Sequence, residues 1–139
     1  MKYIIMSIVF LSSLFASELN WHSDYKKAVE IAKKERKDVY VLITSDSCRW
    51  CRKFEDTTLE DKRVLELLRQ KYILVHADRD MDALPKEFNI KSVPRHYFVT
   101  PDEKIIFTFV GYWDELDFRS YLRDVDKERA IKVKKGEIK

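Results

Sequence analysis

Cysteine is almost missing from this chain. Its 139 residues include two, Cys48 and Cys51, both within the stretch SDSCRWCRKF. A bridge between residues this close would close a very small loop and remove little entropy from the unfolded chain, so it would be a poor structural staple. Histidine is scarce too: His22, His76 and His96 show no HxxxH-like spacing, so the soft ligands for a tetrahedral zinc set are not there, and no metal is expected. Charge of one sign is not in excess. The 27 basic and 24 acidic residues are interspersed through most of the chain and leave a formal charge of +3, which makes no case for nucleic acid. There is no internal repeat, no low-complexity block and no sign of a second domain. What remains is one globular domain with 45% apolar residues, enough for a single core.

The hydrophobic run at 4–15 follows Lys2 and is too short to span the roughly 30 Å of a bilayer core. With small residues Ala16 and Ser17 before Glu18, it has the pattern of a secretory signal. Residues 1–16 are expected to be that signal, and 17–126 the mature domain, working in an extracytoplasmic, periplasm-like and oxidising compartment. Leu14 is large for the position it would hold in a cleavage site, so an uncleaved anchor is the alternative. The basic stretch 127–139, KERAIKVKKGEIK, is poor in large apolar residues and reads as a loosely packed tail, or else as a patch for an acidic partner or membrane surface.

Between these ends helices and strands alternate. Ser23 is placed to cap a helix carrying Tyr25, Ala28, Val29 and Ala32 on one face, and DVYVLIT at 38–44 is the continuous apolar run of a buried strand. The cysteines follow it directly. Helical composition at 49–57 and 61–70, a strand YILVHAD from Tyr72, and a short helical segment around 83–88 come next. SVPRHYFVT, the turn TPDEK and the strand IIFTFVG predict an antiparallel hairpin. Asp114 then caps a last helix with Leu116, Phe118, Tyr121, Leu122 and Val125 expected to face inward.

Taken alone, the cysteine pair could be a reversible disulfide, half of a metal site, a structural bridge or two neighbouring thiols. The order of elements narrows this. From about Trp21 to Val125 the chain resembles the thioredoxin fold: an α/β domain with a central mixed sheet, flanking helices and a CxxC at a helix N-terminus. More narrowly, CRWCRKFEDTTLEDKRVLELL, HADRD, NIKSVP and FVGYWDELDFRSYLRD resemble the C-terminal periplasmic domain of the bacterial transmembrane disulfide reductase and its small secreted relatives.

The resemblance implies a thiol–disulfide oxidoreductase in which Cys48 is the nucleophile and Cys51 the resolving thiol. A helix N-terminus favours the thiolate that does the attacking, since an ordinary cysteine is only about 3% ionised at neutral pH. It also implies a cis Val93–Pro94 peptide facing the cysteines as the substrate platform, with Trp50 as a contact and Arg49 adding positive charge near the thiolate. No cofactor is implied. The expected partners are disulfide-containing proteins, with a membrane disulfide reductase as electron donor, and the chain is expected to act as a monomer. His96, beside Pro94, reads as a satisfied or exposed histidine rather than a base.

The chain also departs from the family pattern. Leu42 stands where a buried aspartate usually lies on the strand before the cysteines, and Leu74 stands where thioredoxin has the accompanying lysine. Glu55 matches a glutamate of the reductase domain, sits at i+4 from Cys51, and is expected either to accept its proton or to pair with Arg52 or Lys53 at the surface. An oxidant or isomerase is the alternative within this class, and a redox-inert peptide-binding or chaperone module the alternative outside it.

Overall fold

The computed structural model describes residues 20–139, so residues 1–16, expected from the sequence to be a signal, lie outside the described residues. A five-stranded sheet in the order β1-β3-β2-β4-β5 forms the middle layer. Its strands are β1 (Trp21–His22), β2 (Asp38–Thr44), β3 (Tyr72–Asp78), β4 (Arg95–Val99) and β5 (Ile105–Val110). β1, β3 and β2 run parallel, while β4 and β5 pair antiparallel as the hairpin predicted from TPDEK. The central strand β2 is buried on both faces, as a continuous apolar run requires.

Four helices cover the sheet: α1 (Tyr25–Glu35), α2 (Arg49–Asp56), α3 (Lys62–Lys71) and α4 (Glu115–Lys134). α1 packs Tyr25, Ala28, Val29 and Ala32 on one face of the sheet; α2, α3 and α4 deliver Phe54, Val64, Leu68, Phe118 and Leu122 to the other. Aspartates start three of the helices by accepting backbone N–H groups that have no partner within the helix: Asp24 for α1, Asp61 for α3 and Asp114 for α4.

Several expectations are corrected. The cap of α1 is Asp24, not Ser23. Residues 83–88 form turns rather than a helix, because Pro85 disfavours helical backbone at Leu84 and the segment is held instead by Phe88, stacked 4.0 Å from Tyr97. Asn89 N–H donates to the Tyr97 hydroxyl at 2.7 Å and fixes the end of that segment. Leu116 is 62% exposed on the outer side of α4.

The C-terminal stretch is not loose. α4 continues to Lys134, and Arg129 reaches the Asp38 carboxylate at the start of β2 with Nε–Oδ2 at 2.6 Å. Lys132 Nζ donates to the Ile105 carbonyl, and Ile138 is buried. Basic side chains thus tie the segment to the start of β2 and to the edge strand β5, contacts that composition alone does not reveal. Among the described residues no helix is long and apolar enough to cross a membrane.

Candidate functional site

The site begins where β2 ends. Thr44 and Ser45 are still buried, the chain then turns out into solvent, and Cys48 N–H donates back to the Ser45 carbonyl at 3.2 Å. That turn leaves Cys48 as the N-cap of α2 with an extended backbone, and its Sγ accepts the Cys51 backbone N–H at 3.0 Å. A sulfur in this position receives a donor and the positive end of the helix dipole, both of which favour a thiolate. Cys48 and Cys51 are joined as a disulfide. Cys48 is half-buried and reachable, whereas Cys51 is 1% exposed.

Beside the pair, Trp50, Val93, Pro94, Gly111 and Tyr112 line an open cavity of about 330 Å³. The Val93–Pro94 peptide is cis. Gly111 N–H donates to the Pro94 carbonyl at 2.8 Å, with Gly111 at φ +105°, a conformation that L side chains rarely adopt. Arg49 lies over the Trp50 ring, its Cζ 5.2 Å from the centroid. Of these, Trp50, Val93 and Pro94, singled out from the sequence, line one opening, and Arg49, also singled out, lies over Trp50. Tyr112 and Lys53 were not singled out for it. Tyr112 follows the glycine that ends the last strand, which is the one signal that could have pointed to it.

On β2, Leu42 is fully buried and opposes His76 of β3 on one side and His96 of β4 on the other. The residue across from Leu42 is therefore His76; Leu74, compared above with the accompanying lysine, lies two residues earlier on β3 and opposes Tyr40. His96 is fully buried and satisfied at both nitrogens. The Gly111 carbonyl can only accept, so Nε2–H donates to it at 3.0 Å, and Nδ1 accepts the Tyr40 hydroxyl at 2.8 Å. Burial pushes the His96 pKa down to about 3, against a smaller opposing effect of the Gly111 bond. The ring is neutral at ordinary pH and ties the Gly111 turn to the core.

Glu55 meets neither Arg52 nor Lys53. Its Oε1 lies 3.2 Å from His76 Nε2, which is also 2.9 Å from Thr44 Oγ1. The pairing crosses from α2 to β3, and nothing in the local sequence signals it.

The thioredoxin-like sequence family matches residues 20–101, more than half of the chain. The chain belongs to the thioredoxin-like family. This thioredoxin-like chain is 27% identical over 62 residues, 45% of its length, to spermatogenesis-associated protein 20 of Mus musculus, and the match spans 8% of that mouse protein. It superposes on a thioredoxin from Thermus thermophilus with TM-score 0.67 and 22% identity, covering 77% of this chain and 86% of that one. For the oxidised C-terminal domain of DsbD from Neisseria meningitidis the TM-score is 0.63 and the identity 21%, over 76% of this chain and 98% of that one. At these identities what is shared is the fold, as the resemblance in sequence implied; in this chain the CxxC pair opens α2.

Proposed function

We propose that this protein is a monomeric thiol–disulfide oxidoreductase that works outside the cytoplasm and reduces disulfides in partner proteins. The observation that carries the reading is Cys48 at the cap of α2, half-buried and reachable, with Cys51 bonded to it and buried, and with Trp50 between them lining the cavity that Val93 and Pro94 share. In the reduced chain the Cys48 thiolate attacks one sulfur of a partner disulfide. An S–S bond forms between Cys48 and that sulfur, and the partner's other sulfur leaves as a thiolate that takes up a proton. Cys51 then gives up its proton and attacks Cys48 Sγ, closing the Cys48–Cys51 bond and releasing the second partner thiolate. Two electrons and two protons pass to the partner. A dithiol donor, in this reading a membrane disulfide reductase, returns them by the same exchange in reverse.

Within that sequence Arg49 favours the Cys48 thiolate, Trp50, Val93 and Pro94 hold the extended partner segment, and Glu55, one turn after Cys51 on the same face, takes its proton. Export is supported by the signal pattern of residues 1–16. A second reading, as an oxidant, is favoured by one observation: with Leu42 apolar, no carboxylate stands at that position of β2 to oppose ionisation of Cys48, and a stabilised thiolate raises the reduction potential. The measured potential decides between them, a reductant lying near the roughly −270 mV of thioredoxin and an oxidant well above it. The chemistry itself is tested by trapping. Cys51→Ser should accumulate mixed disulfides with partners and Cys48→Ser should not; equal trapping by both would overturn the assignment of roles.

A further inference from the structure

The rim of the cysteine pair is made of rings and cations. Trp50 is 46% exposed and lies 5.7 Å from Tyr112 at an interplanar angle of 34°, so the two rings form one wall of the cavity. Lys53 Nζ sits 5.1 Å from the Trp50 centroid and 4.8 Å from that of Tyr112, and the Arg49 guanidinium also lies over Trp50. Arg52 completes the group, its Nη1 donating to the Asp46 carbonyl at 2.8 Å. Among the described residues none of these three cations is within ion-pair distance of a carboxylate. Of the carboxylates nearby in the chain, Glu55 is engaged with His76, Asp61 and Asp114 with helix N-termini, and Glu115 with Arg63 and Arg119, while the exposed Asp46, Asp56 and Glu60 form no ion pair with the three cations.

A ring face holds an ammonium or guanidinium in place without neutralising it. The cations are therefore positioned while their charge stays uncompensated. A carboxylate arriving along the groove would find a fixed ammonium in Lys53 and a planar fork in Arg49, and its own chain would place an apolar side chain against Trp50 and Tyr112. Seated on those cations, such a carboxylate is neutralised and does not oppose ionisation of Cys48.

We propose that this rim selects its partners: extended protein segments in which the disulfide cysteine attacked by Cys48 is flanked by Asp or Glu and carries an apolar neighbour for the cavity. The proposal rests on the oxidoreductase reading and names the substrate class of that same site.

The test uses the full chain in its reduced form and three disulfide peptides identical except for Asp, Asn or Lys beside the cysteine, with an uncharged non-peptide disulfide as reference. The Asp peptide should exchange about tenfold faster than the Lys peptide at low salt, with Asn between. About 0.5 M sodium chloride should close most of that gap. Lys53→Glu should invert the Asp-to-Lys ratio, and Lys53→Gln should flatten it; a ratio is read because it cancels any change in Cys48 reactivity. Equal rates for the Asp and Lys peptides, a preference for the Asn peptide, or a ratio unmoved by salt and by both variants would overturn the proposal. So would rates that fall as the chain is concentrated, the sign that a second copy fills the groove. Failure to exchange with the uncharged disulfide as well would instead overturn the oxidoreductase reading.

Discussion

Toward α1 the sheet presents Val39, Val41, Ile43, Ile73, Val75 and Val99, aliphatic side chains beside Tyr97, whose hydroxyl accepts the Asn89 N–H at the rim of this face. Toward α2 and α4 it presents Tyr40, Leu42, Thr44, His76, His96 and Phe98, so hydroxyls and imidazoles are inlaid among rings on the face that carries the cysteines. Both faces are equally dry at their centres, with Val41 and His96 each at 0% exposure. The difference lies in what each burial demands. An aliphatic side chain needs only volume filled, whereas a buried imidazole needs a specific partner at each nitrogen. The plain face holds the fold, and the inlaid face fixes the position of the Gly111 turn and hence the groove.

The strongest way to break that contrast is to put a charge into the inlaid face. Leu42→Asp buries a carboxylate between His76 and His96, and His96 is already committed to other partners. A loss of about 3 kcal/mol or more in denaturant unfolding is expected. In whatever fraction folds, the Cys48 thiolate absorbance should titrate at higher pH, since a negative charge beneath the sulfur opposes its ionisation. An unmoved titration would mean that position 42 does not lie under the cysteines.

His96→Phe comes next. It leaves the Tyr40 hydroxyl and the Gly111 carbonyl without partners, at a cost of about 2 kcal/mol at neutral pH. It should also remove a pH dependence. In the wild type the folded ring titrates near 3 and the unfolded ring near the ordinary 6.5, so between those values the unfolded state binds the extra proton. This contribution is complete above the unfolded value and is lost as pH falls toward the folded one, by up to about 1.4 kcal/mol per unit. A His96→Phe protein with the same acid slope would show that another group causes it.

The contrast also explains what the sequence disclosed. DVYVLIT, the hairpin around TPDEK, the Asp114 cap and the CxxC after a strand are local patterns, and each was legible because its cause lies within a few residues. The inlaid pairs were not legible. Tyr40 and His96 are 56 residues apart, Thr44 and His76 are 32 apart, and Arg129 reaches Asp38 across 91, so nothing local distinguishes them from surface polar residues. The same distance rule misled the reading of 127–139, whose anchors are on β2 and beside β5. Leu116 misled it differently: one more apolar residue on a helix was assigned to the core when the helix turns it to solvent.

On the plain face a smaller and purely steric effect is expected. Ile43→Val should cost about 0.5–1.5 kcal/mol through the lost methylene and the space it leaves. The thiolate titration should stay where it was. A shift in that titration would mean that the two faces are coupled through β2, and the division of labour drawn above would fail.

The smallest effect, and the finest test of the inlaid face, concerns Glu55. Its side chain is 31% exposed and that of His76 38%, so the contact between them is partly in water and should contribute little to stability. Glu55→Gln should therefore change unfolding by no more than about 0.5 kcal/mol. The thiols are another matter, because i and i+4 share a helix face and a carboxylate one turn from Cys51 opposes any negative charge there. Removing that charge should lower the Cys48 midpoint by about half a unit, the order expected for charges several ångströms apart in a high-dielectric setting. Asp56 is the control: it is the next residue on α2, also acidic, exposed, and turned away from the i+4 position of Cys51. Asp56→Asn should leave the midpoint in place. If both substitutions lower it equally, the thiolate senses only the net charge of the helix; if neither does, Glu55 serves to tie α2 to β3 through His76, and the proton of Cys51 leaves by another route.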